Sequence, residues 1–253
     1  MAGFISAVRL MADRVESKTG YPFSIPAVAA IGKELQIHPR ATFFVGENGS
    51  GKSTLMEAIA VAAGFNPEGG TVNFNFATRA SHSKLHDAVR LVRRGTRPGT
   101  GFFLRAESYF NLATNIEVMA AEPARAPPII DSYGGRSLHE QSHGESFLAL
   151  LQHRFGPHGL YILDEPEAAL SPRRQLAVLS RIHKLVEQES QFIIATHSPI
   201  LLSLPGALIY ELSEQGIRTV AYEDTETFKV TKGFLDDPST FLQLLLGPST
   251  PSK

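Results

Sequence analysis

The chain has 253 residues, 43% hydrophobic and 19% charged, with a formal net charge of −1. That length suits one large α/β domain with a substantial core over residues 1–253, and the near-neutral balance excludes a global field drawing the protein to nucleic acid or an acidic membrane, so such contacts fall to local patches. The lack of cysteine excludes disulfides, thiolate metal ligands and thiol catalysis, which fits a reducing cytoplasm.

Met1 to Leu10 carries Arg9 inside an apolar stretch and no small-residue cleavage pattern, so it reads as a first strand rather than a signal peptide. No later segment approaches the roughly 18 uninterrupted apolar residues of a membrane span. Ala41-Thr42-Phe43-Phe44-Val45 is a strand-like run, and behind it Gly46-Glu47-Asn48-Gly49-Ser50-Gly51-Lys52-Ser53 matches the P-loop pattern G-x-x-x-x-G-K-[ST]. The glycines let the backbone turn tightly, so that successive N–H groups and the start of the next helix point at a phosphate chain. Lys52 supplies a point charge for the terminal phosphates, and Ser53 offers a hydroxyl to Mg²⁺, which usually bridges protein and nucleotide. Thr54 to Ala63 reads as that helix and Gly64 as its stop. Strand, loop and helix stand in the order the motif requires, which predicts nucleotide binding through Gly46 to Thr54.

Arg90 to Gly99 is the one dense basic run, with Arg90, Arg93, Arg94 and Arg97 on a predicted short loop. Two readings stand: a solvated surface loop, or a patch holding nucleic-acid phosphates or the acidic face of a partner. Phe102-Phe103-Leu104 reads as a strand, and Asp131 to Ser137 as a flexible lead-in to the loop at Gln141 to Glu145. Leu160-Tyr161-Ile162-Leu163-Asp164-Glu165-Pro166 has the form of a buried parallel strand emerging at the carboxyl edge of a sheet, where ligands bind in open α/β folds. Its acids would meet the P-loop, Asp164 as a direct or indirect Mg²⁺ partner and Glu165 to orient or deprotonate an attacking water; otherwise the strand merely ends in solvated acids. Ser171 and Pro172 open a helix to about Glu189. The next strand, Gln191 to Thr196, delivers His197, predicted beside the acidic strand and within reach of a γ-phosphate or lytic water. The pairs His82/His86 and His139/His143 lack a complete zinc or iron ligand set. Ala207–Leu212 and Gly216–Tyr222 read as a hairpin, Glu223–Leu246 as two short helices, and 247–253 as a disordered tail.

Gly46 to Ser53 as Walker A, Tyr161 to Glu165 as Walker B with its adjoining glutamate, and Thr196-His197 as a switch histidine together resemble the ATP-binding-cassette ATPase superfamily, from the P-loop to His197. Small stand-alone ATPases related to heads of the SMC type are the most similar group, although the stretch from Lys52 to Ser142 holds no heptad array. The resemblance implies a P-loop NTPase fold: a central, mostly parallel sheet flanked by helices, an N-terminal antiparallel β portion and a small helical signature region near residues 105–155. It implies a signature loop at Gln141-Ser142-His143-Gly144-Glu145, where His143 replaces a usual glycine, and a D-loop over Glu165–Ser171 with Ser171 where aspartate is frequent. It also points to Glu107 where a metal-sensing glutamine is usual, its charge tolerable if Mg²⁺ or Arg105 compensates. Tyr21, ahead of the P-loop, is either an aromatic that stacks on adenine or part of a core strand with Pro22 and Phe23.

The implied machinery is Lys52, Glu165 and His197 for catalysis, Ser53, Asp164 and Glu107 at the metal, and Ser142, His143, Gly144 and Glu145 acting in trans on ATP held by a second copy. Such a two-fold sandwich has two equivalent sites. Three function classes follow from the resemblance: an Mg-dependent ATP-hydrolysing switch, in DNA repair or defence against foreign nucleic acid; the ATPase subunit of a membrane transporter; and a low-turnover nucleotide-binding regulator.

Overall fold

The computed structural model describes residues 3–15, 17–32, 34–72, 83–107, 114, 116 and 143–247. In chain order, β1 (Ile5–Leu10), α1 (Pro26–Ala29) and β2 (Leu35–Gln36) precede the phosphate-loop unit of β3 (Ala41–Gly46) and α2 (Lys52–Ala63). Then come α3 (Leu85–Ala88), β4 (Val89–Arg93), β5 (Thr100–Arg105), α4 (His143–His153), β6 (Gly159–Asp164) and α5 (Pro172–Glu187). The last elements are β7 (Gln191–Ala195), α6 (Pro199–Leu202), the hairpin β8 (Leu208–Ser213) and β9 (Gly216–Thr219), α7 (Glu226–Asp236) and α8 (Pro238–Leu246).

The main sheet has the order β5-β6-β7-β3-β8-β9. Its first five strands are parallel and β9 returns antiparallel to β8. The strands β3, β6 and β7 are buried along nearly their whole length because both faces are covered, which explains their continuous apolar runs. Side chains alternate between two cores. Phe43, Phe102, Tyr161, Leu163 and Phe192 pack with Leu150 of α4 and with Val178 and Ile182 of α5, whereas Phe44, Phe103, Ile162 and Ile193 pack with Leu55, Met56 and Ile59 of α2 and with Ile5 and Val8 of β1. Parallel strands joined by crossovers all present their carboxyl ends on one edge, and that edge carries the residues singled out above.

A smaller antiparallel sheet, β2-β1-β4, lies on the α2 side. It is tied to the main sheet by Gln191, fully buried at the start of β7. The Gln191 Oε1 accepts the N–H groups of Phe4 at 2.8 Å and Ile5 at 2.9 Å, and its Nε2 donates to the carbonyls of Ile5 at 2.7 Å and His38 at 2.9 Å.

Two expectations need correction. Arg90 and Arg93 lie on β4, not on a loop, with Arg90 opposite Arg9 of β1; Arg93 donates from Nη2 to the carbonyls of Ala62 and Ala63, both at 3.2 Å, satisfying the end of α2. Strand pairing wins over the local charge because Val89 is buried and the ladder with β1 runs through both arginines, Arg90 opposite Arg9 and Arg93 opposite Ile5. Tyr21-Pro22-Phe23 is a turn and not a core strand; Pro22 and Phe23 turn inward, and Tyr21 is exposed. Two helix ends come out as read: Gly64 ends α2 in the left-handed conformation (φ 102°) and the Ser171 side chain accepts the Arg174 N–H; the structure adds Asp237 as the cap of α8. No helix among the described residues is long and apolar enough to cross a membrane.

Candidate functional site

The site starts from two glycines. Gly46 ends β3 at φ 147°, where a Cβ would sit 2.2 Å from the Leu212 carbonyl oxygen on the neighbouring strand, and Gly51 at φ 98° opens α2. Between them the loop bends so that the N-terminus of a twelve-residue helix faces the sheet edge. Lys52 curls back over this loop and donates from Nζ to the carbonyls of Gly46 at 2.8 Å and Glu47 at 3.0 Å. Burial pushes the Lys52 ammonium pKa down, while Glu165, Asp164 and Glu167 pull it up.

The acids arrive from the end of β6. Asp164 is buried at 5% exposure, and the Ser53 hydroxyl donates to its Oδ1 at 3.2 Å. Burial raises the Asp164 carboxyl to about 6, against the opposing pull of Arg105 and the Ser53 hydrogen bond. Glu165 adopts a left-handed backbone (φ 53°), uncommon without a glycine. Its N–H donates to the Ala195 carbonyl of β7 at 2.9 Å, which ties that turn to the next strand. The predicted adjacency holds, since β6 and β7 are hydrogen-bonded neighbours, and His197 Nε2 lies 3.5 Å from Glu165 Oε1.

Glu167 completes the cluster and was not singled out from sequence. Its Oε1 accepts the backbone N–H of His197 at 2.5 Å, while its Oε2 and His197 Nε2 are buried without hydrogen-bond partners among the described residues. The available signal was its position two residues past the strand-terminal pair, which put a third acid on the same edge. Arg105 was also passed over as more than a compensating charge. From β5 it donates to Glu57 Oε2 of α2 at 2.8 Å and reaches Glu107 Oε2 at 3.4 Å, so one guanidinium serves a buried acid and an exposed one.

A cavity of about 460 Å³ is lined by Tyr21, Ile25, Asn48, Gly49, Gly51, Lys52, Ser53, Thr54, Glu107 and Glu165. It brings together residues read separately as base-stacking, phosphate-binding and catalytic, and its size is that of a nucleotide-type ligand site. Tyr21 stands over Thr54, with the two hydroxyls 3.5 Å apart. A larger cavity of about 950 Å³ lies on the other flank of the loop, where Glu47, Glu211, Glu214, Asp224 and Glu226 outnumber Arg218 and Lys229. An excess of carboxylates repels a triphosphate, so the smaller cavity is the nucleotide candidate. Glu47 and Ser50 line the acidic cavity alone, and Asn48 and Gly49 line both.

Gly144 and Glu145 lie in the first turn of α4, not on a loop, and neither lines this cavity. A Cβ on Gly144 would meet the Ala169 carbonyl oxygen at 2.9 Å, and Glu145 Oε1 pairs with Arg174 Nη2 at 3.3 Å. His143 begins the same helix. Ser142, His82, His139, the lead-in 131–137 and the tail 248–253 lie outside the described residues.

The donor set fits Mg²⁺. Ser53 and Asp164 offer adjacent oxygens beside a phosphate cradle, and no cluster of three His, Cys, Asp or Glu side chains among the described residues is arranged to hold a metal alone. Such an ion would complete its shell with phosphate and water oxygens.

Comparisons with known proteins bear on the phosphate-loop region and on the fold. The family described as "AAA domain, putative AbiEii toxin, Type IV TA system" matches residues 131–203, and "P-loop containing region of AAA domain" matches 30–81. No curated protein matches the chain. Among solved structures, the ADP conformation of MJ1267, an ATP-binding cassette of an ABC transporter, aligns over 97% of this chain and 99% of its own at 16% identity and a TM-score of 0.50. The cbiO1 protein from Clostridium perfringens aligns over 96% and 99% at 16% identity and 0.48, and the SMC head domain from Thermotoga maritima over 87% and 100% at 16% identity and 0.42. The first of these alignments shows the fold and no more.

Proposed function

We propose that this chain, a P-loop protein of the ABC-like ATPase superfamily, binds ATP with Mg²⁺ and hydrolyses it to ADP and phosphate. The observation that carries the reading is the convergence of Lys52, Ser53, Asp164, Glu165, Glu167 and His197 on one sheet edge beside a nucleotide-sized cavity. In this reading the loop N–H groups and Lys52 hold the phosphate chain, and Tyr21 faces the base. Ser53 and Asp164 hold Mg²⁺, with Glu107 at the mouth of the site. The ion, when bound, neutralises charge on the phosphate oxygens.

Glu165 orients a water and takes its proton as the water oxygen bonds to the terminal phosphorus and the bond to the bridging oxygen breaks. His197 donates from Nε2 to the terminal phosphate, and Glu167 fixes the His197 backbone. Catalysis is then positioning and electrostatics rather than covalent chemistry. Two copies would close face to face, with Ser142 to Glu145 of each completing the other's site, so that ATP binding shuts the pair and hydrolysis opens it. Dimerisation through that face, a cytoplasmic setting and service in nucleic-acid repair or defence all belong to this proposal. Of the basic run, Arg90, Arg94 and Arg97 remain exposed for phosphate contacts, whereas Arg93 is committed to α2. Turnover with and without DNA would read that out.

Glu165→Gln tests the central claim. The variant should keep Mg-ATP affinity within about threefold while turnover falls by about 10²-fold or more, the range of a lost general base. Isothermal titration and phosphate release measure the two; undiminished release removes Glu165 from its role.

A further inference from the structure

The C-terminal helix pair exposes a surface that a lone chain has no reason to keep. In α8, Pro238 to Leu246, there is no charged residue. Leu242, Leu244, Leu245 and Leu246, together with Val230 and Leu235 of α7, are between 45% and 80% exposed. Successive residues step about 100° around a helix, so Leu244, Leu245 and Leu246 point in three directions and no rotation against the chain's own core covers all of them. Ser239, Thr240 and Gln243 form a polar stripe on the remaining side, and an apolar arc this wide belongs against a partner rather than in water.

The pair is built to hold its place. The Phe228 ring packs edge-on against Tyr222 at 4.7 Å, and the Thr225 hydroxyl accepts the Phe228 N–H at 3.3 Å while donating to the Tyr222 carbonyl at 2.8 Å. At the far end Phe241 of α8 meets Phe234 of α7 edge-on at 5.9 Å. The missing side chain of Gly233 admits that ring, since a Cβ there would lie 3.2 Å from Phe241 Cζ. The two helices thus form a capped hairpin that exposes leucine along α8 and charged side chains, among them Lys229, Lys232 and Asp236, along α7.

We propose that this hairpin docks onto the same hairpin of a second copy, forming a two-fold four-helix bundle that joins two chains without nucleotide. The six exposed aliphatic side chains present roughly 700 Å² in all, more than monomers usually leave exposed, and one partner hairpin covers the part of it that faces a single side. The uncharged α8 carries no like-charge pairs that would oppose its own copy. A membrane surface fits less well, because helices that lie on anionic lipid present unpaired basic residues. Here Lys229 is paired with Asp224 at 3.1 Å and Lys232 with Asp236. Such a tether joins the two chains before nucleotide arrives, so closure over nucleotide becomes an intramolecular event to the extent that the linked phosphate-loop faces can reach each other.

Light scattering on the full chain without nucleotide, from about 1 to 50 μM, should give twice the 27.5 kDa chain mass. Leu244→Glu combined with Leu245→Glu should give the single-chain mass with an unchanged far-UV spectrum and unchanged single-site nucleotide affinity. Because the chain lacks cysteine, Leu246→Cys supplies a second reading that needs no disruption: mild oxidation should yield a covalent dimer, whereas Lys18→Cys, outside the helix pair, should not. A monomeric wild-type chain overturns the proposal. So does a folded double variant that stays dimeric, equal cross-linking by both cysteines, or co-sedimentation of monomers with phosphatidylserine vesicles.

Discussion

Asp164 carries its charge where burial penalises it, and the consequence is measurable without any ligand. The group is raised from an ordinary value of 3.8 to about 6, with desolvation the largest cause. A carboxyl with a raised folded-state pKa destabilises the fold when ionised. That cost is fully present above the folded value of about 6, is relieved as pH falls through the window between the two values, and is gone below the unfolded value near 4, where both states are protonated. Asp164→Asn should therefore make the nucleotide-free protein more stable at pH 7.5 by on the order of 2 kcal/mol, a rise in Tm of about 4–8 °C, and the difference should vanish below about pH 4. Thermal melts of both proteins across that range decide it; equal melting temperatures at pH 7.5 would refute the sign. The same variant loses a metal oxygen, so under the proposed function stability and nucleotide use move in opposite directions.

At the level of elements, the buried Gln191 side chain joins two sheets through four backbone groups. Leucine there leaves two N–H groups without partners in a buried position, so Gln191→Leu should cost about 3 kcal/mol or more. Denaturant melts should show the loss, while nucleotide affinity of the remaining folded protein should stay near wild type because the cavity is at the opposite strand ends. Strands β3, β6 and β7 were legible in the sequence because both of their faces are buried, and unbroken apolar runs ending in Gly46, Asp164 and His197 announce a carboxyl edge. The strand β4 was not, since it is covered on one face only and its arginines mask the pattern. The core of the site was legible where chemistry sits at motif spacing. Glu167 and the Arg105–Glu57 pair were not, because what singles them out is proximity across the fold: the former meets a backbone group 30 residues away and the latter bridges 48. The strand order, with β7 lying between β3 and β6, likewise depends on crossovers that local pattern does not encode.

For the whole molecule, two proposed contacts between copies must be told apart: the helix-pair tether and the closure over ATP. Ser142→Arg should block the second and spare the first. In the Leu244→Glu, Leu245→Glu background, ATP should convert single chains into dimers when Glu165→Gln is also present to hold the nucleotide, and adding Ser142→Arg should abolish that conversion. Light scattering with and without Mg-ATP reads both; normal ATP-driven dimers in the Ser142→Arg protein would defeat closure in trans. At this scale the left-handed backbone of Glu165 takes on a second meaning. Glycine would fit that φ without strain, so the change that removes the proposed base also relaxes the turn. The route from an enzyme to an inert nucleotide-holding relative therefore runs downhill in folding free energy, and selection for turnover alone would keep a glutamate at that position.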